Sequence, residues 1–331
     1  MSVDVGTVTI PAHYRQIPNM DFDALLPHLR TRIFHDEWNV PETWPAEITA
    51  LVNDVMYATP TLIDRLPNLK VISFAGTGVW DRVDVAYATR RGIAVCNVPG
   101  WGNDTIAEFT FALLLALARK LFAADAVARR PEWKVEECYG VQLRGKTIGL
   151  IGLGNVGQRV AEIAEGFGLR VLCYTRRPDA PRRTGARVEF VPLDELLRRS
   201  DVLSLHALLT DETRGMIGAR ELNLLPEGAI VINTARGPLL DTDALVAALK
   251  SGRLGGAGLD VFDHEPLPEH HPLKELDNAI LTPHAAGLTD TAAYNLFARS
   301  LANADAFAAG DPINVVNPEA LGASGAPPPH P

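Results

Sequence analysis

Residues 147–167 read TIGLIGLGNVGQRVAEIAEGF, and their periodicity switches half-way along. Thr147–Ile151 is a short apolar, β-branched run of the kind that forms a buried strand, whereas Asn155–Phe167 repeats its apolar residues at helical spacing. The turn between them carries three glycines with separate tasks. Gly152 permits the tight turn, Gly154 lets a pyrophosphate approach the backbone, and Gly157 lets the helix pack closely on the strand. The helix N-terminus, at Asn155 and Val156, offers N–H groups and the positive end of its dipole to phosphate. A glycine-rich turn alone is a weak signal. Followed by a second strand at Arg170–Tyr174, it reads as a dinucleotide-binding βαβ unit.

The end of that second strand bears on which dinucleotide binds. An Asp or Glu there normally holds the ribose 2′-hydroxyl of NAD. This chain has Thr175, Arg176 and Arg177 instead, with no carboxylate. Nothing then repels a 2′-phosphate, and two guanidiniums can pair with it. The expectation is that NADP(H) is preferred and NAD(H) admitted, with these three residues beside the phosphate. The competing reading is that both arginines are solvated loop residues.

Outward from this unit, short apolar runs at Lys70–Phe74, Ile93–Cys96, Val202–Leu205, Ala229–Asn233 and Ala279–Thr282 alternate with helical patterns such as Leu193–Arg199 and Thr242–Ser251. Strands that are apolar throughout, with helices between them, predict a parallel α/β sheet covered on both faces. Two longer helices interrupt the rhythm. Asp104–Lys120 has Asn103 or Asp104 as its cap, and Thr289–Ala309 is stopped by Gly310 and Pro312. They mark two lobes: residues 1–101 with 289–331, and residues 102–288 between them. The tail from about residue 322, GASGAPPPHP, reads as disordered.

Composition narrows the partners. The 331 residues carry 31 Lys+Arg against 40 Asp+Glu, a net charge of −9, which argues against nucleic acid or an anionic membrane as a general partner. The N-terminus lacks a signal-peptide pattern, and the most apolar run, Ala112–Ala118, is too short to span a bilayer. Cys96, Cys138 and Cys173 lack the spacing of a disulfide framework or a thiolate metal site. A cytoplasmic location is expected. No metal site is expected either: in His264-Glu265-Pro266-Leu267-Pro268-Glu269-His270-His271 the prolines forbid the helix that a zinc-protease motif requires, and the last three residues read as an exposed loop.

Three segments of the second lobe end in polar residues. Ala229–Asn233 runs into Thr234-Ala235-Arg236-Gly237, Gly256–Asp260 into Val261-Phe262-Asp263-His264-Glu265, and Ala279–Thr282 into Pro283-His284. Strand carboxyl ends face the ligand crevice of an open α/β sheet, so Arg236, Asp260, Glu265 and His284 are placed to converge there. A guanidinium forks onto a 2-oxo-carboxylate, and an imidazole paired with a carboxylate can deliver a proton as hydride arrives at a ketone carbon.

With those residues in hand, the chain resembles the D-isomer-specific 2-hydroxyacid dehydrogenases. The matching blocks are LKVISFAGTGVWDRVDV from Leu69, RGIAVCNVPGWGNDTIAE from Arg91, LRGKTIGLIGLGNVG from Leu143, HALLTDETRGMI from His206, INTARG from Ile232, GLDVFDHEPLP from Gly258 and LTPHAAG from Leu281. The resemblance implies a Rossmann-type doubly wound cofactor domain inserted into a smaller flavodoxin-like α/β substrate domain. It implies a catalytic trio of Arg236 on the substrate carboxylate and keto oxygen, His284 as acid/base and Glu265 orienting the imidazole. It also implies a substrate-carboxylate turn at Ala75, Gly76, Thr77 and Gly78, with Asp260 on the nicotinamide side. Further implied cofactor contacts are Thr105, His206, Thr210, Thr234, Ala235 and Gly287. The implied substrate is a small 2-oxoacid or 2-hydroxyacid, with glyoxylate or hydroxypyruvate expected. The alternatives are a D-lactate or D-glycerate dehydrogenase using NAD, or a non-catalytic dinucleotide-sensing protein. The chain's end soon after its last helix implies no added regulatory domain. Relatives imply a homodimer through the helix after PGWGND, where Phe109, Phe111 and Leu113–Leu115 suit such a contact. Two departures concern the site. Leu208 replaces a proline, where only a small backbone change is expected. Trp80 and Trp101 could narrow the substrate end, though packing is the expected role of at least one.

Overall fold

The computed structural model describes residues 6–29, 31–37 and 39–322, so the tail expected from about residue 322 lies, apart from Gly322, outside the described residues. The chain divides into two compact units, residues 1–101 with 289–331, and residues 102–288.

The first unit is built on five parallel strands: β1 (Thr7–Pro11), β2 (Thr31–His35), β3 (Ile48–Asn53), β4 (Val71–Phe74) and β5 (Ala94–Cys96). Their order is β2-β1-β3-β4-β5, the flavodoxin-like arrangement. Successive residues of a strand face opposite sides, and in β4 residues toward both faces are buried. Val71 joins the core under the helix Asp290–Ala308, with Leu296, Phe297 and Leu301, while Ile72 joins the opposite core with Leu62, Ile63 and Ala88. Ser73 Oγ donates to the Ser300 carbonyl at 2.7 Å and Asn303 Nδ2 to the Asn97 carbonyl at 2.9 Å, tying that late helix to strands made two hundred residues earlier.

The second unit has seven parallel strands: β6 (Thr147–Ile151), β7 (Arg170–Tyr174), β8 (Val188–Phe190), β9 (Val202–Leu205), β10 (Ala229–Asn233), β11 (Leu254–Leu259) and β12 (Ala279–Leu281). The order β12-β11-β10-β9-β6-β7-β8 is doubly wound, and the chain reverses direction across the sheet between β6 and β9. Ligands of such sheets bind outside the carboxyl ends of the strands at that reversal.

Two expectations about the helix Asn103–Ala118 are corrected. Its N-cap is Gly102, with no side-chain cap, and Asp104 instead pairs with Arg159 at 2.6 Å. Much of its apolar side is spent within its own unit: Phe111, Leu113 and Leu114 are buried, Phe109 and Leu115 are half-buried against the same core, and Phe111 stacks on Phe167 with ring centroids 5.2 Å apart. The helix sits this close because Leu113 and Leu117 lie directly over Gly258 and Gly256 of β11, where a Cβ would lie 3.0 Å from each.

Candidate active site

The glycine turn sits at the carboxyl end of β6 and opens the helix Asn155–Gly166. Gly152 has φ +95°, and a Cβ there would lie 2.7 Å from the His206 carbonyl; one on Gly157 would lie 2.6 Å from the Gly152 carbonyl. Both positions demand glycine for close packing. At Gly154 a Cβ would meet nothing within 4 Å. Open space at the N-terminus of a twelve-residue helix fits a pyrophosphate, because the N–H groups of the first turn have no intrahelical partner. His206 begins the segment after β9, its N–H donating to the Ile151 carbonyl at 2.8 Å and its ring bonded to Ser204 Oγ at 2.8 Å. Burial lowers its pKa to about 4, so the ring is neutral at physiological pH. Thr210 is tied to Thr213, and Thr105 lies in the first turn of the helix Asn103–Ala118.

Arg236, Glu265 and His284 follow β10, β11 and β12, three adjacent strands. Asn233, at the end of β10, shapes the turn that carries Arg236: its Oδ1 accepts from the Ala235 N–H at 3.0 Å and its Nδ2 donates to the Arg236 carbonyl at 2.8 Å. Gly237 then lets this turn press against the backbone of Phe262 and Asp263, where any Cβ would collide. Thr234 bonds Thr110 through their hydroxyls at 3.0 Å. In the next loop the Phe262 N–H donates to Glu265 Oε1 at 3.1 Å, and His284 Nδ1 donates to Glu265 Oε2 at 3.0 Å. The imidazole is therefore held through Nδ1, with Nε2 on its other edge. His284 has φ +54°, a left-handed conformation that is costly outside glycine and persists only where surroundings impose it.

Asp260 supplies that imposition. Its carboxylate is buried and accepts from Thr282 Oγ1 at 2.6 Å, the Ala285 N–H at 2.8 Å and the Ala286 N–H at 2.9 Å, while its backbone carbonyl accepts from the His284 N–H at 2.8 Å. Burial raises its pKa despite those bonds. The side chain expected beside the nicotinamide is thus engaged in folding the His284 loop, whose last residues, Ala286 and Gly287, are buried.

The family model for the NAD-binding domain of D-isomer specific 2-hydroxyacid dehydrogenases matches residues 111–286. A glyoxylate reductase of Thermococcus litoralis is 43% identical over 289 residues, 84% of this chain and 86% of the relative. The chain belongs to this family. Among solved structures, a D-lactate dehydrogenase from Aquifex aeolicus complexed with NAD and lactic acid is 31% identical with a TM-score of 0.80, covering 94% of this chain and 98% of that one. An acyclic imino acid reductase in complex with NADPH and D-Arg is 28% identical with a TM-score of 0.78, covering 94% and 99%. This dehydrogenase is an oxidoreductase of CH–OH groups that uses a nicotinamide dinucleotide. Among the described residues no helix is long and apolar enough to cross a membrane.

In the other unit of the dehydrogenase, the turn Ala75–Gly78 follows β4. The Ala75 N–H donates to the Asn53 carbonyl at 2.7 Å, Asn97 Nδ2 to the Thr77 carbonyl at 2.8 Å, and Thr77 Oγ1 to the Val98 carbonyl at 3.1 Å. Trp101 packs against the core of this unit, whereas Trp80 is exposed. The same unit brings together a cluster with no signal in the sequence: His13, Glu37 and Asp54 follow β1, β2 and β3 and lie within 4.8 Å of one another. His13 Nε2 bonds Asp54 Oδ2 at 3.2 Å, and Glu37 Oε1 accepts from the N–H groups of Asp54 at 2.7 Å and Val55 at 3.2 Å. The trio thereby braces the loop after β3. No sequence signal joins three residues so far apart. Cys96 and Cys173 are buried, their thiols pushed up to about 12 and about 11, so both stay protonated.

Proposed function

We propose that this dehydrogenase reduces small 2-oxoacids, glyoxylate and hydroxypyruvate foremost, to D-2-hydroxyacids, and that NADPH is its preferred reductant. The observation that carries the reading is the His284–Glu265 pair at 3.0 Å beside the Arg236 turn, on neighbouring strand ends. When bound, the dihydronicotinamide supplies the hydride. Residues 102–288 hold it, with the pyrophosphate at Gly152, Gly154, Asn155, Val156 and Gly157 and the ribose end at Thr175, Arg176 and Arg177. Thr105, His206, Thr210, Thr234, Ala235, Asp260 and Gly287 complete that surface.

Arg236 takes the substrate carboxylate and keto oxygen, so positive charge stands where negative charge develops. His284 gives the Nε2 proton to that oxygen, and Glu265 stabilises the imidazolium through Nδ1. A panel of 2-oxoacids assayed with NADPH and NADH tests the whole reading. Turnover of glyoxylate or hydroxypyruvate with higher kcat/KM for NADPH supports it; better use of NADH overturns the cofactor preference, and no turnover on any 2-oxoacid overturns the reaction.

Two chains are proposed to pair, through a different surface from the one first expected. Leu121, Phe122, Trp133, Val135 and Tyr139 are all exposed on one stretch, where the helix Leu121–Ala128 packs on Val135–Cys138. Apolar exposure on that scale marks an association surface. Light scattering reads it: a dimer in the parent and a monomer in Phe122→Lys/Trp133→Lys support the pairing, and a parent monomer overturns it.

A further inference from the structure

The strand end that lacks an acid in sequence acquires one in space. Arg176, just beyond β7, pairs with Glu212, which lies in the loop after β9. β7 and β9 flank β6 on opposite sides, so this ion pair reaches from one flank to the other past the strand end where the glycine turn begins. Both ends are anchored. The loop of Arg176 is folded around Arg182, whose guanidinium donates to the carbonyls of Arg177, Pro178 and Ala180 and stacks 4.9 Å above the Phe190 ring. The loop of Glu212 is fastened by Thr213, whose hydroxyl donates to the Leu208 carbonyl at 2.7 Å and accepts from the Thr210 N–H at 2.8 Å.

We propose that Glu212 is a specificity-determining residue that competes with the 2′-phosphate of NADP(H) for the Arg176 guanidinium. The inference rests on the reading that places the adenosine ribose at Thr175–Arg177. A carboxylate and a phosphate are alternative partners for one guanidinium. A phosphate monoester of about −1.5 to −2 charge displaces the single negative charge of Glu212, but does so against its field. A dinucleotide without the phosphate leaves the pair intact. Glu212 therefore moderates the NADPH preference that the two arginines create, and sustains use of NADH. Arg176 and Glu212 are 59% and 72% exposed, so the effect is several-fold and falls with salt.

The test is a binding cycle on the full-length protein with Glu212→Gln, Arg176→Ala and the double variant, titrated calorimetrically with NADP+ and NAD+. The expected result is a two- to fivefold tighter NADP+ complex in Glu212→Gln with a smaller change for NAD+, a gain that shrinks at 0.5 M salt and disappears in the Arg176→Ala background. If Arg176→Ala weakens NADP+ and NAD+ equally, or neither, the ribose reading itself fails. If Arg176→Ala weakens NADP+ selectively while Glu212→Gln leaves it unchanged or weaker, the ribose reading stands and the competition is overturned.

Discussion

Among the described residues, two imidazole–carboxylate pairs lie at the carboxyl ends of parallel strands, one in each unit, and their neighbours differ. His284 and Glu265 are 3.0 Å apart, with the imidazole 43% exposed, much as the His13 ring is at 39%. His13 and Asp54 are 3.2 Å apart, but a third group closes the set: Glu37, only 6% exposed, accepts the backbone amides of the loop that carries Asp54. Burial pushes the Glu37 carboxyl up to about 7, with Asp54 adding to the rise. On the proposed reading the first pair offers Nε2 to a reacting partner. The second shares its set with a buried carboxylate that holds a loop. Neither distance nor exposure separates the two roles assigned to these pairs; the third, buried carboxylate beside His13 and Asp54 does.

The sharpest way to break that contrast is His284→Ala, expected to lower kcat/KM on glyoxylate by about 10²- to 10⁴-fold with little change in Tm, as loss of a general acid requires; near-parental activity would remove His284 from the chemistry. Next comes Asp260→Ala, which orphans the hydroxyl and two backbone amides of the His284 loop. Denaturant unfolding is expected to show a loss of about 2–4 kcal/mol, with kcat falling as well.

Glu37 has a smaller and pH-dependent effect. Its folded pKa near 7 lies above the ordinary 4.5, so the folded chain keeps a proton there that the unfolded chain has released. Between about pH 4.5 and 7 this group makes stability fall as pH rises. Glu37→Gln should remove that slope, on the order of 2 kcal/mol across the window, read as the difference between parent and variant unfolding curves. His206, lowered to about 4, is common to the two proteins and cancels in that difference, whereas His13, raised in part by the Glu37 charge, loses that support in the variant. The smallest effect is expected from His13→Ala: about 1 kcal/mol of stability and less than about threefold in kcat/KM, in line with one lost partly exposed hydrogen bond. A loss of activity comparable to that of His284→Ala would make both pairs catalytic and abolish the contrast.

Most strands of the second unit were legible because they are apolar on both faces and bounded by glycine or polar turns; β8, VEF with an exposed glutamate, was not. β6, β7, β9 and β10 fall on the residues expected of them. β1, β2 and β3 were not recognised. β2 reads TRIFH, with Thr31, Arg32 and His35 breaking any apolar run at the sheet edge, and a short run such as TVTIP declares itself only once β2 and β3 pair with it on either side. Arg236, Glu265 and His284 were legible because each follows a strand in a local block; their supports, Asn233 and the buried carboxylate cradle of Asp260, act through turn geometry that composition does not encode.

The sequence by itself determined the glycine turn, the parallel strand–helix rhythm and the identities of the candidate chemical residues. All three depend on neighbours within a turn or a strand, where periodicity and steric demand are local. Only the tertiary structure decided which faces were left over and which charges met. It consumed Phe111 and Leu113 in their own core, exposed Phe122 and Trp133, and brought Glu212 to Arg176 across thirty-six residues of chain. Such pairings follow from strand order, because a sheet sets side by side the loops of segments that are distant in sequence.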